Sequence, residues 1–294
     1  MKMKILVITD IEGVNSVLDF NAWCHPAGKY YSLGCRFLTE EVNAVVEGFL
    51  QADEKADILV WDGHGEGAID PQTFHPGASL QKGAPFWPDF GEGFDAVAFV
   101  GQHAKAGTRN GHLAHTQTSE AKDFRINGVS LGEFGQQVYA MAERGAVPLF
   151  ASGDLALTQE AKALCPAIRT VAVKEGLNDA LPEEIATDRI FSAESAAIHY
   201  PRKKVLAELR KTAFEAVQAW KKDPAPFVFA LPEGPFVAEA EYRRSGKRTA
   251  EMFGELPPRK IHTKEHSSVI SVLREFYRRE WKQPDGIFSI PTEE

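Results

Sequence analysis

The chain opens on a short β-branched and apolar run, Ile5-Leu6-Val7-Ile8-Thr9. From about Arg36 to Leu50 the apolar positions Phe37, Val42, Val45, Val46, Phe49 and Leu50 then fall close to a helical stripe. The pattern predicts a strand followed by a helix. Ile58 to Trp61 and Ala96 to Val100 are too continuously apolar for strands with one wet face, so they predict strands buried on both faces of a largely parallel sheet. After the turn dipeptide Asn127-Gly128, Leu131 to Arg144 predicts a helix ending at Gly145, and Val147 to Phe150 another strand. Glu160 to Leu164 suits a short helix and Thr170 to Val173 a strand. Ser192 to Lys222 reads as one long helical region that Pro201 must start, break or kink. Beyond Asp223 the texture changes. Phe227 to Ala230 and Phe236 to Ala238 are short strand candidates, and Ser267 to Trp281 is an amphipathic helix with Val269, Val272, Leu273 and Phe276 inward. The expected architecture is α/β, a largely parallel sheet flanked by helices, with a smaller C-terminal α+β portion. The expected division lies between residues 1–190 and 191–294.

A length of 294 residues allows one large domain or two ordinary ones, and 44% hydrophobic with 25% charged residues is ordinary globular composition. Asp and Glu number 41 against 33 Lys and Arg, a formal charge of −8 that argues against nucleic acid or an anionic membrane and for a small partner. Cys24, Cys35 and Cys165 form no close pair, so they read as buried thiols, not as a disulfide framework or a thiolate zinc site. The basic start Met1-Lys2-Met3-Lys4 is followed by an apolar run that Asp10 and Glu12 soon interrupt, and no stretch approaches the roughly 20 residues of a membrane span. A cytoplasmic location is expected.

Chemistry concentrates where the strand candidates end. Each of the first three runs directly into ligand-capable residues: Asp10-Ile11-Glu12-Gly13, Asp62-Gly63-His64-Gly65 and Gly101-Gln102-His103. In open α/β sheets the crevice beyond the carboxyl ends of the strands gathers such residues into one pocket. If the extended conformation persists, Asp10 and Glu12 point to the same side, and two carboxylates that close need a cation. The imidazoles of His64 and His103 complete a mixed oxygen and nitrogen set suited to zinc or another first-row divalent ion. Glu133, near the start of the Leu131 helix, is the further carboxylate that would let two ions be held. Taken singly, a carboxylate after a strand is more often a helix or turn cap than a ligand; His64, between two glycines that leave room for a ligand, is harder to dismiss. Of His112 and His115, an i, i+3 pair without the HExxH spacing, one can serve as a general acid or base. Asp154 and Lys174 also sit at predicted strand ends, either lining the pocket or forming a structural ion pair. No Walker sequence, dinucleotide loop or GxSxG elbow is present.

These segments, with His115-Thr116, Ile126-Asn127-Gly128, Gly132-Glu133, Ser152-Gly153-Asp154 and Lys174-Glu175-Gly176, resemble the DppA-like D-aminopeptidases, self-compartmentalising zinc metallopeptidases. The resemblance implies that Asp10, Glu12, His64, His103 and Glu133 ligate two zinc ions, with Asp10 bridging. It further implies that His115 is the catalytic histidine, and Asp154, Lys174 and Asn127 are candidate pocket residues. It makes 1–190 the metal-binding catalytic domain and 191–294 a portion for oligomerisation or pocket shaping. It also implies a homo-decamer of two stacked five-membered rings, acting on short peptides or aminoacyl amides. Two divalent ions holding a water between them would supply the chemistry. The same ligand set leaves open an L-aminopeptidase, an amidase, a phosphoesterase, or a non-catalytic metal-bound peptide-binding scaffold. For a phosphoesterase, the motif neighbourhoods offer few cations beyond Lys105 and Arg109.

Overall fold

The computed structural model describes residues 2–83, 88, 90–179 and 181–281. In chain order the strands are β1 (Lys4–Thr9), β2 (Asp57–Asp62), β3 (Ser79–Lys82), β4 (Ala96–Gln102), β5 (Ala121–Ile126), β6 (Val129–Ser130), β7 (Val147–Asp154), β8 (Arg169–Gly176), β9 (Ala197–His199), β10 (Ala238–Tyr242) and β11 (Arg259–His262). The helices are α1 (Phe20–Trp23), α2 (Tyr31–Ala52), α3 (Glu133–Glu143), α4 (Leu155–Leu164), α5 (Ile190–Ala193), α6 (Arg202–Lys222), α7 (Lys247–Phe253) and α8 (Val269–Trp281).

Seven strands form one sheet in the order β3-β2-β1-β4-β7-β8-β9, parallel throughout except for β9, which pairs antiparallel with β8. Its continuous apolar strands follow from burial on both faces. Along β1, Ile5 and Val7 enter the core shared with α2 and α6, whereas Leu6 and Ile8 enter the opposite core with α3 and α8. That second core also covers a four-stranded antiparallel sheet of order β11-β10-β5-β6. The smaller sheet takes β5 and β6 from the first half of the chain and β10 and β11 from the second, so it straddles the expected division at 190/191.

Two local expectations are corrected. Ser192 to Lys222 is not one helix: α5 ends at Ala193, β9 intervenes, and Pro201 sits at the N-cap of α6, where its missing N–H costs no hydrogen bond. Phe227 to Ala230 is not a strand, because Ala225–Phe227 forms a 3₁₀ turn after Pro224. Cys24 and Cys165 are buried as expected, whereas Cys35 is only half-buried.

The sheet order places a topological switch between β1 and its neighbour β4, the position where open α/β sheets hold ligands. Register brings the ends together, since Thr9 pairs with both Asp62 and Val100. Beyond them the loop after β1 presses against β4. The Gly13 amide donates to Gly101 O at 2.8 Å, and a Cβ on Gly13 would lie 1.8 Å from Gln102 O. Gly101 itself has φ +76° and faces Asp10 O.

Helix α3, which opens on Glu133, is anchored to the sheet by Phe134 packed edge-on to Phe99 at 4.8 Å, both fully buried. Phe99→Ala is expected to cost about 3–5 kcal/mol of unfolding free energy, measured by denaturant titration.

Candidate metal centre

The structure brings Asp10, Glu12, His64, His103, His115 and Glu133 into one buried cluster at the β1–β4 switch. Asp10 and Glu12 get there by a route other than the extended one expected. β1 ends at Thr9, the chain turns, and Asp10 remains pinned because its amide donates to Val100 O at 2.9 Å while its Oδ1 accepts from Ile11 N. His64 follows β2 in a loop shaped by Asp62, whose carboxylate accepts from the amides of Ala68 and Ile69 at 2.8 and 3.3 Å. Glu133 is the first residue of α3, and its Oε1 accepts from Gln117 N at 2.7 Å.

Distances within the cluster are short. His64 Nδ1 lies 2.9 Å from Asp10 Oδ1 and 3.3 Å from Glu12 Oε2. His103 Nε2 lies 3.4 Å from Asp10 Oδ2 and 3.5 Å from Glu133 Oε1, and His115 Nε2 lies 3.7 Å from the same Glu133 oxygen. The rings of His103 and His115 stack at 4.0 Å.

The opposite nitrogen of each imidazole meets a backbone carbonyl. His64 Nε2 meets Cys24 O at 2.9 Å, His103 Nδ1 meets Ala104 O at 3.0 Å, and His115 Nδ1 meets Leu113 O at 2.9 Å. A carbonyl only accepts, so each of those nitrogens carries the hydrogen and each neutral ring turns a lone pair toward the carboxylates. Lone pairs facing carboxylates require a cation between them, either a proton or a metal. Glu12 Oε2 and His103 Nε2 are buried without a hydrogen-bond partner, which fits a metal better than a set of satisfied bonds. Within each of two overlapping groups, Asp10–Glu12–His103 and His103–His115–Glu133, the ligand atoms lie within 4.8 Å of one another, close enough to hold a metal ion. The donor set therefore suits zinc, and the hydrogens given to carbonyls are the outer bonds that orient metal-binding histidines.

With protons alone to balance it, the cluster is strained electrostatically. Burial would raise Asp10, but His103 and His64 outweigh it and hold that carboxyl well below its usual range. Burial and the neighbouring Asp10 charge push Glu12 up to about 7. Burial opposes a charge on His64 and His103, yet the carboxylates keep both well above the usual imidazole range. His115 goes the other way, lowered to about 4 by burial and by His103. It is thus neutral at neutral pH, with the Nε2 lone pair turned toward Glu133.

The remaining expected residues divide. Lys174 is fully buried beneath the centre, and its ammonium donates to Glu12 O at 2.5 Å, Val14 O at 3.0 Å and Val17 O at 3.4 Å. Burial lowers it to about 8. Asp154 is also fully buried and accepts from His112 N at 3.3 Å; Lys174 acts on its charge without closing to an ion pair. Asn127 is not brought to the cluster. It lies exposed on the β5–β6 turn, where its amide donates to Pro235 O and accepts from Val237 N. Sequence reading missed the aromatic wall: Phe20 and Phe191 stack at 4.0 Å, and both stand edge-on to His115, at 6.3 and 5.2 Å. Asp19, the N-cap of α1, was the available signal for Phe20.

Lys174→Met removes the donor from three carbonyls of the metal-facing loop. It is expected to lose about 2–3 kcal/mol of stability by denaturant titration and to retain less zinc after dialysis than wild type.

Comparison with known proteins places the chain in a family. A curated D-aminopeptidase of Bacillus subtilis is 29% identical over 184 residues, 60% of this chain and 65% of that protein's length. The solved structure of the zinc-dependent D-aminopeptidase DppA from Bacillus subtilis, described as a self-compartmentalizing protease, superposes with a TM-score of 0.78 at 21% identity. The superposition covers 97% of this chain and all of the other. Residues 3–270 match the Peptidase M55 family, described as D-aminopeptidase, and with the larger part of its length matched the chain belongs to that family.

Proposed function

We propose that this chain is a zinc aminopeptidase that releases N-terminal D-amino acids from short peptides or aminoacyl amides through a dinuclear centre. The observation that carries the reading is the convergence of two imidazoles, His64 and His103, and three carboxylates, Asp10, Glu12 and Glu133, at contacts of 2.9 to 3.5 Å. We assign Asp10, Glu12, His64, His103 and Glu133 as ligands, with Asp10 between the two groups because its two oxygens face His64 and His103 separately. Two divalent ions held there supply Lewis-acid polarisation of the scissile carbonyl and lower the pKa of water toward neutrality.

The chain's own residues do the rest. His115, donating Nδ1–H to Leu113 O, presents Nε2 to the cluster, where we assign it the handling of the proton that goes to the leaving amine. The stacked Phe20 and Phe191 close one side of His115 and keep water from it. Phe191 lies in the 191–294 portion, which supports a pocket-shaping role for that segment. Lys174 fixes the loop that carries Asp10 and Glu12.

We further propose a ring-shaped homo-decamer acting in the cytoplasm. The self-compartmentalizing assembly of the Bacillus subtilis protein supports the first part, as do Leu18, Leu177 and Ile198, exposed apolar side chains around the loop after β1 and the β8–β9 edge. Free thiols at Cys24, Cys35 and Cys165 suit a reducing compartment. Among the described residues no helix is long and apolar enough to cross a membrane.

Metal-dependent amine release from matched D- and L-aminoacyl dipeptides is the direct test. Zinc-loaded protein is expected to cleave the D-series and metal-stripped protein neither; cleavage of the L-series alone would remove the stereochemical assignment. Asp10→Ala should lose metal and activity together. His115→Ala should keep two metals by elemental analysis and lose about 10²–10⁴-fold in turnover, whereas loss of one metal would make His115 a ligand instead.

A further inference from the structure

Glu194 is a buried carboxylate that neither the metal cluster nor the core accounts for. It caps the C-terminal end of α5, is 2% exposed, and its Oε2 has no hydrogen-bond partner. The charge that acts on it most favourably is Arg243, just beyond β10, which donates Nη1–H to Ala121 O at 3.0 Å and keeps Nε buried and unpartnered. Arg243 thus acts on Glu194 without closing to an ion pair. A buried acceptor left open in this way is costly, and such groups persist where something else completes them.

Its position says what that is. Glu194 is fastened to the His115 loop, since its carbonyl accepts from Leu113 N at 3.1 Å and from Asn178 Nδ2 at 2.8 Å, while Leu113 O holds His115. Phe191, three residues earlier, stands against the His115 ring. His103 and Asp154 also act electrostatically on the Glu194 carboxyl. Burial pushes Glu194 up to about 8 even with Arg243 opposing it, so the carboxyl is short of positive charge.

We propose that Glu194 receives the α-ammonium of the substrate's N-terminal residue, with the Phe20–Phe191 wall beside it; the assignment rests on the aminopeptidase reading. An ammonium offers three donors and a full charge, the complement of an open carboxylate. The carboxylates of the centre are committed to the cluster and Asp154 accepts from the His112 amide, whereas Glu194 is the buried carboxylate whose main chain is fastened to the His115 loop.

The test is calorimetric binding of D-alanine hydroxamate and of propanohydroxamate, a pair differing only in the amine, to zinc-loaded wild type, Glu194→Gln and Glu194→Asp. Wild type is expected to prefer the amine. Glu194→Gln should lose about 30-fold for D-alanine hydroxamate and under about threefold for propanohydroxamate, with Glu194→Asp in between. An amine preference that survives in Glu194→Gln, equal losses for both ligands, or no preference in wild type overturns the assignment. If Glu194→Gln fails to fold, as judged by circular dichroism and zinc content, Glu194→Asp carries the same comparison. Failure of the aminopeptidase reading shows separately, as wild type that binds both hydroxamates and cleaves no peptide.

Discussion

Three imidazoles each give their only hydrogen to a backbone carbonyl, and this commits the rest of the site. Once Cys24 O, Ala104 O and Leu113 O have taken those hydrogens, His64, His103 and His115 have only lone pairs to present to Asp10, Glu12 and Glu133. Acceptors facing acceptors at 2.9 to 3.7 Å in a buried pocket repel unless a cation lies between them. Protons can serve, as the raised Glu12, His64 and His103 indicate, but a metal displaces them and satisfies several ligands at once. Metal binding would therefore displace protons from this region.

Holding such a cluster requires a scaffold that does not yield. The parallel sheet is buried on both faces, so the ends of β1, β2 and β4 are fixed by register and by core packing that the site does not share. The loop after β1 is then squeezed against β4, where only glycine fits at positions 13 and 101. Glycine here lets two backbones approach closely enough for ligands from adjacent strands to meet, at the cost of a stiff and intolerant loop.

What the sequence made legible follows the same logic. Strands buried on both faces announce themselves as apolar runs, so β1, β2, β4 and β7 were readable, and with them the polar residues that follow each. Strand β5 was not, because Lys122, Asp123 and Arg125 interrupt it and its partner β10 lies more than a hundred residues further on. The pattern joined α5, β9 and α6 because a three-residue edge strand carries almost no periodic signal. Within the site, ligand types and their strand-end positions were visible, whereas their orientation was not, since it is set by carbonyls that no side-chain pattern encodes. Lys174 was noticed for its place at a strand end, but its bonds to three carbonyls of a loop more than 150 residues earlier are a product of the fold alone.

Charge explains why buried groups surround the cluster. With the two divalent ions proposed above, three ionised carboxylates would leave the centre with one net positive charge, and Lys174, bonded to Glu12 O, would add another beside it. A substrate that must arrive with a free ammonium would meet this as a barrier in a medium where charges are poorly screened. Asp154 answers the lysine, and Glu194 places a buried carboxyl on the side where Phe191 meets His115. Burial keeps that carboxyl at about 8 even with Arg243 favouring its charge, so it holds its proton until a second cation arrives to complete it. A fully paired Glu194 would be silent toward the substrate, and one without Arg243 would hold its proton still more firmly. The intermediate arrangement gives a positively charged hydrolytic centre a way to demand a positively charged end.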